Sequence, residues 1–306
     1  MRNQFADTFY QIGRADPRLC IIVADISPAG SMAKFRSDFP RRFINTGVSE
    51  QIMIGIAAGM AQRGFRPFAY TIATFTLYRP FEMVRDDLCY QNLPVTIVGI
   101  GGGVTYSTLG ATHHAQEDVA IATAIPNMSV IAPCDPAETE AATRWCATQE
   151  RGPVYLRLGK AGEPDFTSKA QQAWEFGKVR QLRAGVDVAI LSYGPIMKRA
   201  MAVADRFEAT GRRAAVFSIH TLKPLDREGL SQILGTYKRV VVIEECAPNG
   251  SLAMRLKELA WDLRAGCRLD TFTLKDEFIH CYGSHDDILD AHGLGTAEIC
   301  SRLKLA

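Results

Sequence analysis

The residues with chemistry to offer lie in the first half of the chain, in four short segments. In Asn45-Thr46-Gly47-Val48-Ser49-Glu50, a carboxylate enters the first turn of a helix that is otherwise almost uncharged as far as Gly64. An acid there commonly partners the helix dipole, and it can equally face a ligand. Tyr70 to Arg79 is an extended piece turning into a helix, with Phe75 and Tyr78 three residues apart, as core or as a platform for a flat ligand. Gly99 to His114 is a glycine-rich loop ending in paired histidines, His113 and His114. Its Gly101-Gly102-Gly103 fits neither the G-x-G-x-x-G of a dinucleotide site nor a P-loop, because no G-K-[ST] follows. The pair has no acidic or further histidine ligand at helical spacing, so no metal ligand is expected in this chain. The fourth segment is Arg157, at the end of an apolar strand.

These segments need a scaffold that brings strand ends together. Apolar runs at Leu19 to Val23, Val95 to Ile100, Met128 to Ala132 and Val154 to Leu158 alternate with longer helical patterns, as buried parallel strands do. The pattern lapses around Lys160 to Ala173 and resumes at Val188 to Tyr193, Ala214 to Ile219, Val240 to Glu244 and Thr271 to Leu274. The fold class is therefore α/β, as two consecutive domains: 1–165, a linker at 166–175, and 176–306. In such sheets ligands gather where strands end and helices begin, which is where all four segments fall.

Composition narrows the partners. The 306 residues are 47% apolar, and 35 basic against 33 acidic side chains give a charge of +2, which offers no footprint for nucleic acid or an anionic membrane. No window approaches an uninterrupted membrane span, and the start lacks a secretion signal, so a cytoplasmic protein is expected. Eight cysteines stand singly, without a C-x-x-C pair, and read as reduced thiols.

In order along the chain, the G-x-S-E helix opening, the Y-x-x-x-F-x-x-Y-R segment, the loop ending G-x-T-H-H-x-x-E-D, and Pro126 to Thr139 (PNMSVIAPCDPAET) resemble the pyrimidine-binding domain of the transketolase family. Gly152 to Leu158, Leu191 to Gly194 and Val241 to Glu245 extend the resemblance through a transketolase C-terminal-like domain, so it covers nearly the whole chain. The resemblance implies thiamine diphosphate, whose aminopyrimidine takes a proton from the thiazolium once a carboxylate holds the ring in its imino form. Glu50 matches that carboxylate, and a desolvated glutamate near Ile52, Ile54 and Phe75 can share a proton with the ring. Phe75 and Tyr78 match residues that pack against the pyrimidine. His113 matches a histidine that contacts substrate near the reacting carbonyl, and Arg157 and Arg2 match arginines that grip a sugar phosphate.

The family binds Mg²⁺ and the diphosphate through a G-D-G motif in a separate N-terminal domain, and this sequence contains no Gly-Asp-Gly. The resemblance therefore implies the second subunit of a split enzyme, with two copies of each subunit and a site completed by the partner. The expected activity is transfer of a two-carbon ketol unit from a ketose to an aldehyde. A β subunit of a 2-oxo acid dehydrogenase first component, or a non-catalytic scaffold, are the alternatives. Three positions depart from the sugar-phosphate pattern: Ala29 replaces a phosphate-binding serine, Gly101 a phosphate-side histidine, and Leu109 an aspartate that reads a sugar hydroxyl. A different acceptor or donor is expected from those losses.

Overall fold

Runs of Ile, Val and Leu without polar alternation can be strands only where both faces are covered, and the chain folds to cover them. The computed structural model describes residues 1–306 apart from 27–29, 151, 169 and 306, so the expectation for Ala29 lies outside the described residues. Among the described residues, twelve strands form two sheets.

The first sheet contains β1 (Leu19–Val23), β2 (Phe43–Asn45), β3 (Arg66–Ile72), β4 (Thr96–Ile100), β5 (Ser129–Ile131) and β6 (Val154–Leu158), all mutually parallel, in the order β5-β6-β4-β3-β1-β2. Strands β1, β4 and β6 are buried at every residue. The helix Arg2–Ala15 covers one face through Phe5 and Phe9, and the Phe9 ring meets Phe35 and Phe68 edge-on at 4.9 and 5.0 Å. After β1 the chain turns outward to β2 and then crosses back to β3, so the order reverses there. Such a reversal opens a crevice outside the carboxyl ends of the strands.

The second sheet has the order β12-β11-β8-β9-β7, from β7 (Arg180–Arg183), β8 (Val188–Ser192), β9 (Ala214–Ser218), β11 (Arg239–Ile243) and β12 (Arg268–Phe272); only β7 runs antiparallel. One strand crosses between the halves. The short β10 (Thr221–Lys223) leaves the second domain and pairs antiparallel with β5, covering the exposed edge of the first sheet. Lys223 Nζ anchors it by donating to the carbonyls of Thr123 and Ile125 at 2.8 and 2.5 Å. Thr167, between the domains, is likewise tied down: its N–H and its hydroxyl both donate to Asp135, at 2.7 and 2.9 Å.

The junction also buries charge. Glu138, fully buried, accepts from Arg180 Nη1 at 3.3 Å, Ser218 Oγ at 3.0 Å and the Cys134 N–H at 3.0 Å, so one carboxylate joins a first-domain helix to two strands of the second sheet. Removing it leaves a buried guanidinium without its counter-charge, which typically costs about 3–5 kcal/mol. Glu138→Ala is therefore expected to lower the unfolding free energy by that order in urea denaturation, and a loss within about 0.5 kcal/mol, typical of a surface change, would contradict the arrangement.

Candidate active site

The site residues arrive from the carboxyl ends of β2, β3, β4 and β6. Glu50 is the first residue of the helix Glu50–Gln62, and only 2% of it is exposed. Past β3, the short helix Ala73–Leu77 and the turn after it bring Phe75 and Arg79, four residues apart, to one face. Arg79 Nη1 donates to Glu50 Oε2 at 2.8 Å, and the Arg79 guanidinium lies over the Phe75 ring, 4.7 Å from its centroid. The far side of Phe75 meets the His113 imidazole edge-on, with ring centroids 5.3 Å apart. Glu50, Phe75 and His113 thus form one contact line, joined by an arginine to which the sequence alone assigned no role. Ile54 is buried beside the core, whereas Ile52 is 57% exposed and does not contribute to burying the carboxylate.

Tyr78 is turned toward the next loop. Its hydroxyl donates to Glu117 Oε2 at 2.9 Å and accepts the Glu117 N–H at 3.2 Å. Burial, reinforced by Asp118 and Glu117, pushes that hydroxyl's pKa far above its ordinary value. With Thr74, His114 and Phe278 it lines a cavity of about 370 Å³ in which the Thr74 hydroxyl and both His114 ring nitrogens lack partners.

The three glycines after β4 are there for close packing. A Cβ on Gly101 would overlap the Tyr106 ring, one on Gly102 the Arg157 side chain, and one on Gly103 the carboxyl of Glu245. Gly101 and Gly103 also have φ of +73° and +68°, a region costly for other residues. A bridge between Gly103 and Ala115 then closes the loop, with the Ala115 N–H donating to Gly103 O at 2.7 Å. Inside it, two short turns around Gly110 present Leu109, 47% exposed, and His113. Thr112 Oγ1 lies 3.0 Å from His113 Nδ1, and burial holds the pKa of His113 below the usual histidine value.

Arg157, at the end of β6, is held by an internal carboxylate. Only 1% exposed, it donates from Nε to Asp118 Oδ2 at 2.8 Å and from Nη2 to Glu245 O at 2.9 Å, while Tyr155 donates to the same Asp118 oxygen at 2.8 Å. A fully buried carboxylate demands such a partner, and Arg157 serves it. The accessible cation of this strand end is Lys160, missed in the sequence: its Nζ lies 5.1 Å from the Tyr106 ring centroid, and it lines an interdomain cavity of about 350 Å³ with Thr105, Ser107, Lys198 and His285. Arg2 is the first residue of the N-terminal helix, with Nε buried and unpartnered. Burial raises the pKa of the Tyr106 hydroxyl and the nearby charge of Arg2 opposes this, so Arg2 and Lys160 both attend Tyr106.

Comparison with known proteins assigns both domains to a family. The transketolase pyrimidine binding domain matches residues 1–162 and the transketolase C-terminal domain matches residues 177–299. The chain belongs to the transketolase family. It is 29% identical to an apulose-4-phosphate transketolase subunit of Phocaeicola vulgatus, over 98% of this chain and 95% of that protein. It is 32% identical to 1-deoxy-D-xylulose-5-phosphate synthase of Oleidesulfovibrio alaskensis over 96% of this chain but 46% of the synthase. A solved structure described as a split gene transketolase in an inactive β4 tetramer superposes with a TM-score of 0.89 at 32% identity, covering 99% of this chain and 96% of that one. Among the described residues, no helix is long and apolar enough to cross a membrane.

The histidines around the site differ in sign. Burial depresses His220 to about 3 and His292 to about 4. Burial also opposes charge on His285, but the Glu245 carboxylate, 2.8 Å from its Nε2, outweighs this and raises it. Below the ordinary value of about 6.5, the unfolded chain binds protons that folded His220 and His292 refuse, so their stabilisation is lost as pH falls toward 4. The contribution of His285 is complete below the ordinary value and is lost as pH rises through its raised one. Histidine NMR titration is expected to give midpoints of about 3 for His220, about 4 for His292, and above the ordinary value for His285; three midpoints near the ordinary value would contradict these environments.

Proposed function

We propose that this chain is one half of a split, thiamine diphosphate-dependent transketolase that moves a two-carbon ketol unit from a ketose to an aldehyde. The observation that carries this reading is the line Glu50, Arg79, Phe75, His113 at the carboxyl ends of a parallel sheet. A buried carboxylate beside an aromatic face suits a flat nitrogen heterocycle: the acid takes the ring nitrogen and the ring face takes the apolar contact. Thiamine diphosphate, when bound, supplies the nucleophilic carbon that accepts the ketol fragment.

The roles of this chain's residues follow. Glu50 would hydrogen-bond the pyrimidine ring, taking its nitrogen in place of the Arg79 donor that now occupies the carboxylate. Phe75 and Tyr78 orient the ring. His113, neutral at pH 7, donates a hydrogen bond to the substrate oxygen that gains charge. Arg2 faces the far, anionic end of the substrate. Mg²⁺ and the diphosphate belong to a partner subunit carrying a G-D-G motif, in an assembly of two copies of each. The names of the relatives support a split enzyme: one is itself named as a transketolase subunit, and the split gene transketolase described as a β4 tetramer is also described as inactive. Leu109 and Gly101, apolar where sugar-phosphate enzymes have polar contacts, favour a substrate other than an ordinary pentose phosphate. The eight free cysteines fit a reducing, cytoplasmic setting.

In the complex reconstituted with its partner, thiamine diphosphate and Mg²⁺, Glu50→Gln is expected to reduce turnover by roughly 10²-fold or more, as for loss of a proton-transfer group. Turnover within about threefold of wild type would contradict the role, since an essential proton donor contributes far more.

A further inference from the structure

Glu245 lies in the second domain, two residues beyond β11, yet its side chain is used by the first. It is fully buried, and Oε1 accepts the Val104 N–H at 2.6 Å and the Nε2–H of His285 at 2.8 Å. Because a carboxylate can only accept, the proton on that imidazole nitrogen points at Glu245. The neighbouring Gly103 has no side chain because the Glu245 carboxyl fills that space. Val104 directly follows the Gly103–Ala115 bridge that closes the catalytic loop. Arg157 grips the other stem, with Nη2 3.5 Å from Ala115 O and 2.9 Å from Glu245 O. Both stems of the loop that presents Tyr106, Leu109 and His113 are therefore fastened to one residue of the other domain. Neither a core contact nor a surface ion pair requires this: Glu245 Oε2 is buried with no partner, a cost retained at the junction.

We propose that Glu245, oriented by His285, is a positioning residue for ketol transfer: it holds the loop of residues 103–115 so that His113 meets the substrate. The second domain thereby acts on the chemistry through one hydrogen bond to a backbone amide. The assignment of His113 rests on the function proposed above, whereas the holding of the loop does not, and the experiment separates the two.

Hydrogen exchange is measured on the full chain alone, without cofactor, for wild type, Glu245→Ala, the near-isosteric Glu245→Met and Glu245→Gln, and kcat and KM are measured on the reconstituted complexes. Ala and Met are expected to speed exchange across 103–115 by about tenfold, the equivalent of one buried hydrogen bond, while peptides across Glu50–Gln62 stay as protected as in wild type. Gln keeps the acceptor for Val104 and is expected to keep the protection. In the complexes, Ala and Met should lower kcat by roughly 10- to 100-fold with little change in donor KM, the scale of a misplaced catalytic group, and Gln should restore most of it. Unchanged exchange in the loop overturns the proposal, as does loss of protection spread evenly over the whole second domain, or a kcat that Gln does not rescue. If the wild-type complex transfers no ketol unit while the loop loosens as stated, the functional reading fails and the holding of the loop stands.

Discussion

A carboxylate removed from water must find a cation or give up its charge, and the packing of this chain is arranged around that demand. Among the buried acids where the strands end and the domains meet, Asp135 and Glu244 are held by N–H and hydroxyl donors, and four others face cations: Glu50, Asp118, Glu138 and Glu245. Each is set against a cation from a distant part of the chain, respectively Arg79, Arg157, Arg180 and His285. The last three pairs lie inside the structure or bridge the domains. The Glu50–Arg79 pair differs, because Arg79 is 42% exposed on its side chain and the pair opens to solvent on that side.

The same constraint explains what the sequence could and could not reveal. The central strands were legible because a strand buried on both faces has to be continuously apolar, as Leu19–Val23 and Val188–Ser192 are. The edge strands β7 and β10 were not, since Arg180–Arg183 is mostly polar and Thr221–Lys223 is too short to show a period. Glu50, Phe75 and His113 stood out in the sequence because each belongs to a motif at a strand end. The pairing of Arg157 was not legible, because its counter-charge, Asp118, lies thirty-nine positions earlier. Lys160 follows three residues later and carried no motif of its own. The glycine triplet matched no phosphate-binding motif, and the side chains of Tyr106, Arg157 and Glu245 account for it. Long-range contacts of this kind leave no local signature.

The two domains are consequently less separable than their sequence boundary suggests. Strand β10 completes the first sheet, Asp135 holds Thr167 between the domains, and Glu245 reaches the loop after β4. The loop that bears Leu109 and His113 also meets Tyr282 of the second domain at Gly110.

The central claim is that this chain holds one half of a shared cofactor site. Isothermal titration calorimetry of thiamine diphosphate with Mg²⁺, into the chain alone and into its mixture with the G-D-G-bearing partner, tests it most directly. Saturable binding in the mixture, with none to the chain alone over the same concentrations, is the expected result. Equally tight binding to the chain by itself, or no binding to an assembled mixture, would contradict it.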